Sequence, residues 1–257
     1  MTKQNKWLWA AALLTYAFLY LPLVIVVVYS FNDSRLNAEW VGFTFKWYRI
    51  LFNDEQMLLA ARNSLLIGVI TSVFATIFGT LAGMAMYKYK LRLLPVLVLT
   101  PIAIPEILMG VSLLMFFVML NMTLGLVSVA LAHIAFCIGF VAIVVRSRLQ
   151  GMDESLVEAA RDLGATPLQA FRLITMPLIM PGIIAGALMA FTLSIDDFVI
   201  TFFTAGAGAS TLPLQIYSMI RIAVTPEVNA ISTLLMLLTL ALILIAGKLA
   251  PGALRAK

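Results

Sequence analysis

Three carboxylates lie where a bilayer interior is expected. Glu106 falls midway along an apolar run at about 94–118, and Asp196 and Asp197 fall inside another at about 178–204. An unpaired ionised carboxylate in hydrocarbon costs at least about 2–3 kcal/mol, so such residues face a protein interior or a water path. Neither run carries Lys or Arg. The chemistry on offer is attraction of a cation, not of phosphate, sulfate or a sugar. Helical spacing separates the candidates: Ser194, Asp197, Thr201 and Thr204 share one polar stripe, while Ile195, Val199 and Phe202 face elsewhere. Asp197 is on that stripe and Asp196 about 100° off it, which ranks Asp197 and Glu106 ahead of Asp196 as lining residues. A structural role remains the alternative for all three: a cap, a bond to a neighbouring helix, or a pair with a cation of another subunit. Glu106 follows Pro101 and Pro105, which lack amide donors and break a helix ladder. A helix restarting at Pro105 leaves Glu106 in its first turn, stabilised by the dipole. Helices broken at mid-membrane commonly border a substrate route.

Other chemistries are excluded. No G-x-x-x-x-G-K-[ST] run exists to cradle a nucleotide. His133 stands alone in its apolar run, without a partner for metal binding or nucleophile activation, and reads as packing with a satisfied hydrogen bond. Cys137 is the only cysteine, so the chain has no intramolecular disulfide and no cysteine cluster for a metal. The chain reads as a non-enzyme without a cofactor of its own.

A second polar feature interrupts the apolar runs at 146–177. Ser155 with Glu158 spaces a capping box, and Gly164 falls where a left-handed C-terminal cap belongs. Thr166-Pro167-Leu168-Gln169 repeats the start signal. Two short helices joined by a glycine turn, with an apolar stripe of Leu156, Ala160 and Leu163, make a plug for another protein's groove. The spacing resembles the cytoplasmic loop of permeases of binding-protein-dependent ABC importers: E-A-A, three residues, G, nine residues, I-x-L-P. This chain matches at Glu158, Ala159, Ala160, Gly164, Ile174 and Pro177, with Met176 where the pattern has Leu. The resemblance implies a coupling helix seated in an ATPase subunit that binds the ATP.

The elements that must position these residues are membrane helices. The 257 residues are 63% hydrophobic and 11% charged, against about 25% charge in a soluble domain. Six spans of about 20 residues can be drawn, near 8–30, 64–87, 94–118, 124–145, 178–204 and 228–249. The first lacks a small-residue cleavage site and reads as an uncleaved anchor. Strand-like alternation is absent, which argues against a membrane barrel. With both termini and the 88–93 and 146–177 loops on one side, that side collects Lys3, Lys6, Lys88, Lys90, Arg92, Arg146, Arg148, Arg161, Arg172, Lys248, Arg255 and Lys257. The other side holds Arg35, Lys46, Arg49, Arg62 and Arg221. The bias makes the first side cytoplasmic. The basic excess needs no nucleic acid to explain it.

The 31–60 segment is then external, and its Trp40, Phe43, Phe45, Trp47, Tyr48 and Phe52 read as an interface belt against lipid, or as a docking surface. The 205–227 loop, with Gly206, Gly208, Pro213 and Pro226, is expected to be an irregular lid or gate, with Arg221 and Glu227 meeting an external partner. The chain divides into 1–60, a transmembrane domain at 61–250 and a tail at 251–257.

Further segments narrow the resemblance. Tyr20-Leu21-Pro22, Ser30-Phe31-Asn32-Asp33-Ser34, Trp40-Val41-Gly42-Phe43 with Trp47-Tyr48, and Ser147-Arg148-Leu149 are similar to permeases of spermidine/putrescine ABC importers. So are Phe191 to Asp197, Leu212 to Ser218 and Pro226 to Ala230. This implies an all-α membrane protein of six transmembrane helices with the type I ABC importer permease fold, in a bacterial inner membrane. It also implies a homodimeric ATPase, a second homologous permease and a periplasmic polyamine-binding protein as partners. Members often have Asp where this chain has Glu106, which keeps the charge at a longer reach. Another ABC permease substrate (ferric iron, thiamine or an opine) is the alternative, as is an ion-coupled secondary transporter, which leaves the coupling loop unexplained.

Overall fold

Proline and glycine placement decides much of how this apolar chain is cut into helices. The computed structural model describes residues 6–34, 39–89, 92–223 and 225–249. Lys3, Arg35, Lys90, Arg255 and Lys257 of the charge tally, and the 251–257 tail, lie outside the described residues. The elements are α1 (Lys6–Tyr29), α2 (Lys46–Leu51), α3 (Glu55–Lys88), α4 (Leu93–Ala103), α5 (Glu106–Met119) and α6 (Leu126–Gln150). They continue with α7 (Ser155–Asp162), α8 (Pro167–Ala170), a π turn (Phe171–Thr175), α9 (Met176–Asp196), α10 (Val199–Thr204), α11 (Leu212–Ile222) and α12 (Pro226–Leu249). Among the described residues the only β pairing is one isolated bridge, Asn32 to Phe43.

Among the described residues four helices are long and apolar enough to cross a bilayer: Trp7–Tyr29, Glu55–Lys88, Leu126–Gln150 and Pro167–Asp196. The expected third span is two helices, α4 and α5, bent by 106°. The expected sixth coincides with α12, whose apolar part Pro226–Leu242 is shorter.

The described residues of Met1–Leu58 and Gln215–Leu238 form one compact unit, and those of Leu59–Leu214 and Thr239–Lys257 another. In the first, a single asparagine ties the aromatic segment together. Asn32 is fully buried; its amide donates to Glu39 O at 2.7 Å and its oxygen accepts from Val41 N at 2.9 Å. Trp47 Nε1 donates to Asn32 O at 2.7 Å, and Phe31 stacks on Phe43 at 5.1 Å. The aromatics therefore pack first on one another. Their outer faces at Trp40, Phe43, Phe45 and Phe52 stay exposed.

In the second unit α6 is the axis, packed against α9, α4 and α10. Val141, Val145, Cys137 and Ala132 of α6 meet Ile179 and Ala190 of α9 in the core. Bilayer lipid gives helices no hydrophobic drive to associate, so close backbone approach has to supply the contact. Gly79 and Gly83 provide it on α3: a Cβ at Gly79 would lie 2.5 Å from Val141 Cβ, and one at Gly83 2.8 Å from Ala142 O.

Candidate functional site

Two helix breaks set the acids. At the first, Ile104 is extended (ψ 135°), as the residue before a proline prefers, and α4 ends on Ile104 N to Thr100 O. Pro105 caps α5, Glu106 begins its first turn, and Met109 N returns to Pro105 O at 3.1 Å. The restart expected from the prolines is present. Glu106 is exposed.

The second break has no proline. α9 stops at Asp196, Asp197 is extended (φ −65°, ψ 123°), and α10 begins at Val199. Asp197 Oδ1 accepts Thr201 N at 2.8 Å and the Thr201 hydroxyl at 3.0 Å, so the carboxylate caps α10 from within. His133 completes the cluster. Its Nδ1 is 2.8 Å from Ser194 Oγ, and its Nε2 is 2.9 Å from Thr201 Oγ1 and 3.2 Å from Asp197 Oδ1. The His133 and Asp197 side chains are 2% and 5% exposed.

This corrects the ranking from helical spacing. That stripe presumed one continuous helix. In the structure Ser194, Asp197, Thr201 and Thr204 do come together, but against α6: Ser128 Oγ donates to Thr204 O at 2.7 Å, and His133 takes the rest. Asp197 points inward, and Asp196 is the exposed acid at the break. His133 is correspondingly not alone. A serine, a histidine and an aspartate in contact invite comparison with a hydrolytic triad, but Ser194 is buried with them and no substrate reaches its hydroxyl. An aspartate just ahead of the apolar run Val199 to Phe203 is an N-cap signal, and it could have located the break.

The breaks lie near each other. α5 packs along α10, with Gly110 against Phe203 and Ile200. Among the described residues neither Glu106 nor Asp196 has an ion-pair partner. Along α9 the spacing of Leu178, Ala185, Met189 and Asp196 keeps them on one face, about 100° round the helix from the buried Ile179, Gly186 and Ala190. Leu178, Ala185 and Met189 of that face line a groove of about 670 Å³ together with Ser147 and Arg148 of α6.

The coupling-loop residues are on α7 and its sequel. Leu163 caps α7, Gly164 is left-handed at φ +91°, and Gly164 N and Ala165 N return to Arg161 O and Ala160 O, the paired bonds of a Schellman cap. The second box forms: Thr166 N donates to Gln169 Oε1 at 2.8 Å and Gln169 N to Thr166 Oγ1 at 3.4 Å. The first does not. Ser155 is already inside the helix, and its amide donates to Asp153 Oδ1 at 3.0 Å, so Asp153 takes the capping role. Bonds from Ser155 hold the Asp153 carboxyl below the usual carboxylate range. Nor is the second helix separate, for α8 runs through the π turn into α9. Pro177 has no amide to return to Leu173 and its ring crowds that carbonyl; the wide turn, closed by Met176 N to Phe171 O, absorbs the conflict. Glu158, Ala159, Gly164 and Pro177 are exposed, Ala160 and Ile174 half-buried. Leu163, Leu168 and Leu173 are 90%, 74% and 71% exposed. Behind α7, the Tyr87 hydroxyl of α3 donates to Glu154 Oε1.

The outer loop is more regular than expected. Residues 205–211 are irregular; Leu212 N then donates to Ser64 Oγ at 2.9 Å, α11 follows, and Ala223 and Thr225 are again outside a helix before α12. Arg221 is exposed in its last turn and Glu227 is half-buried in the first turn of α12.

The family model for the binding-protein-dependent transport system inner membrane component matches residues 75–254. The chain belongs to that family. It is a transport permease of the inner membrane and not an enzyme. The spermidine/putrescine transport system permease protein PotC of Escherichia coli K12 is 44% identical over 232 residues, 89% of this chain and 88% of that one. The putrescine transport system permease protein PotI of the same strain is 41% identical over 243 residues, covering 91% and 86%. PotC of Haemophilus influenzae is 40% identical over 233 residues, covering 90% and 91%. Among solved structures, a bacterial ABC transporter importing the acidic polysaccharide alginate superposes with TM-score 0.74 at 18% identity, covering 97% of the permease and 96% of that chain. The inward-facing MetNI methionine transporter gives 0.66 at 21%, covering 79% and 100%. These likenesses establish the fold, that of type I ABC importer permeases.

Proposed function

We propose that this permease moves polyamines of the spermidine and putrescine class inward, driven by ATP hydrolysed on a separate, homodimeric ATPase subunit. The observation that carries the reading is the pair Glu106 and Asp196: exposed carboxylates at two neighbouring helix breaks, without a cationic partner among the described residues. A polyamine is a chain of protonated amines, and its transfer through a low-dielectric core needs spaced anions that attract without trapping. Aromatic faces add about 0.5–2 kcal/mol per cation contact. Asp197 belongs to the route as the residue that shapes the break, its carboxylate turned to His133 and Thr201. The names of the relatives favour this substrate class.

Glu158, Ala159, Ala160, Gly164, Ile174 and Pro177 form the ATPase-docking loop on the cytoplasmic side, with both termini on that side. The uncovered leucines at 163 and 168 suit a groove in such a partner. A second, homologous permease completes the pathway, and a periplasmic polyamine-binding protein delivers substrate at a face including Arg221 and Glu227. Uptake of labelled spermidine and putrescine by the reconstituted complex tests the reading. Asp196→Asn and Glu106→Gln each lower the rate at least about tenfold, the loss of about 1.4 kcal/mol of cation stabilisation. Normal polyamine uptake by both variants overturns it.

A further inference from the structure

We infer that His133 is a positioning residue of this permease: it fixes the α9–α10 break and so leaves Asp196, the last residue of α9, open to the route. The inference rests on the substrate-route reading above. His133 stands inside α6, a helix unbroken from Leu126 to Gln150, and its ring spans the whole break. One nitrogen meets Ser194 in the last turns of α9, and the other meets Asp197 at the break and Thr201 on α10. A break without proline or glycine has no built-in stop, since Asp196, Asp197 and Phe198 could each continue a helix. What ends α9 is the Asp197 carboxylate capping Thr201 N, and what holds that carboxylate inward is His133. Asp196 is the adjacent residue. If α9 ran on through Asp197, Val199 and Ile200 would come one turn beyond Asp196 on its own face and crowd the carboxylate, and the cap on α10 would be lost. The histidine touches no open surface, so it acts only through the residues it holds.

The test is a double-mutant cycle in the assembled transporter, with rates normalised to co-purified complex. Asp196→Asn and His133→Leu each lower the saturated uptake rate about tenfold, and the double variant falls no further than the lower single, because the two act on one step. Independent effects would multiply to about a hundredfold. The KM for loaded binding protein stays constant in all three. His133→Gln, whose amide can replace one ring nitrogen but not both, recovers part of the rate. Multiplying effects, or a change in KM alone, overturn the role of His133 and leave the route standing. Normal uptake by Asp196→Asn removes the route itself, and this inference with it. Should His133→Leu fail to assemble, Ser194→Ala trims a single hydroxyl and replaces it in the cycle; multiplicative loss or failed assembly there makes the cluster packing only and overturns the assignment.

Discussion

Asp196 and Asp197 are neighbours in the chain with opposite circumstances. Asp197 is buried against His133 and caps α10; Asp196 is exposed at the end of α9. Removing the buried carboxylate leaves a histidine and a helix start without their acceptor, and breaking one side of a buried polar pair is costly. Asp197→Leu is therefore expected to destabilise the purified transporter by about 3 kcal/mol, read as a lowered thermal midpoint. Asp196→Asn should leave that midpoint unchanged while uptake falls. An unchanged midpoint in Asp197→Leu would show that the cluster does not hold the break. The sequence displayed the acids and their apolar setting, which is enough to mark them as candidates. It did not display which one points outward. That depends on a histidine 61 and 68 residues from Ser194 and Thr201, and on a cap that stops a helix where no proline does.

At the scale of elements, the loop joining α6 to α9 was mostly legible because its signals are local. Gly164 adopts the left-handed conformation its place requires, and Thr166 with Gln169 closes a box. The misplaced start, at Asp153 rather than Ser155, differs because both residues offer caps and the earlier one captures the amide of the later. The Tyr87–Glu154 bond was not readable at all, since it joins the end of α3 to the start of α7 across the fold. Its position suggests a strut that keeps α7 aligned with the membrane helices while the ATPase moves. Tyr87→Phe keeps the ring and removes the donor, so the expected result is normal ATPase association with more ATP hydrolysed per polyamine delivered. An unchanged ratio in proteoliposomes would exclude the strut. Gly164 is a separate matter: a Cβ there meets nothing within 4 Å, so Gly164→Ala adds backbone strain of only about 1–2 kcal/mol. Gly164→Asp adds a charge next to Asp162 on the proposed docking surface. Co-purified ATPase should fall modestly in the first and sharply in the second.

For the whole molecule the open quantity is sidedness. Seventeen Lys and Arg distribute unequally about the spans, and the positive-inside rule turns that bias into the proposed orientation, with α7 expected on the cytoplasmic side and α11 on the periplasmic side. The chain carries its own means of testing this. Its one cysteine, Cys137, is fully buried between α6 and α9, with Sγ 3.7 Å from Ala190 O. A membrane-impermeant maleimide should leave it unlabelled, so single cysteines can be added without removing it. Leu163 at the end of α7 is 90% exposed and Ile222 at the end of α11 is 89% exposed, which makes both accessible in the subunit. In intact cells stripped of the outer membrane, Ile222→Cys is expected to label and Leu163→Cys to remain unlabelled; in inside-out vesicles the pattern reverses. Loaded binding protein should slow labelling of Ile222→Cys if the face carrying Arg221 receives it, and assembled ATPase should protect Leu163→Cys. The opposite labelling pattern would invert the permease in the membrane, and an ATPase in the cytoplasm could then no longer reach the loop that carries Glu158 and Gly164.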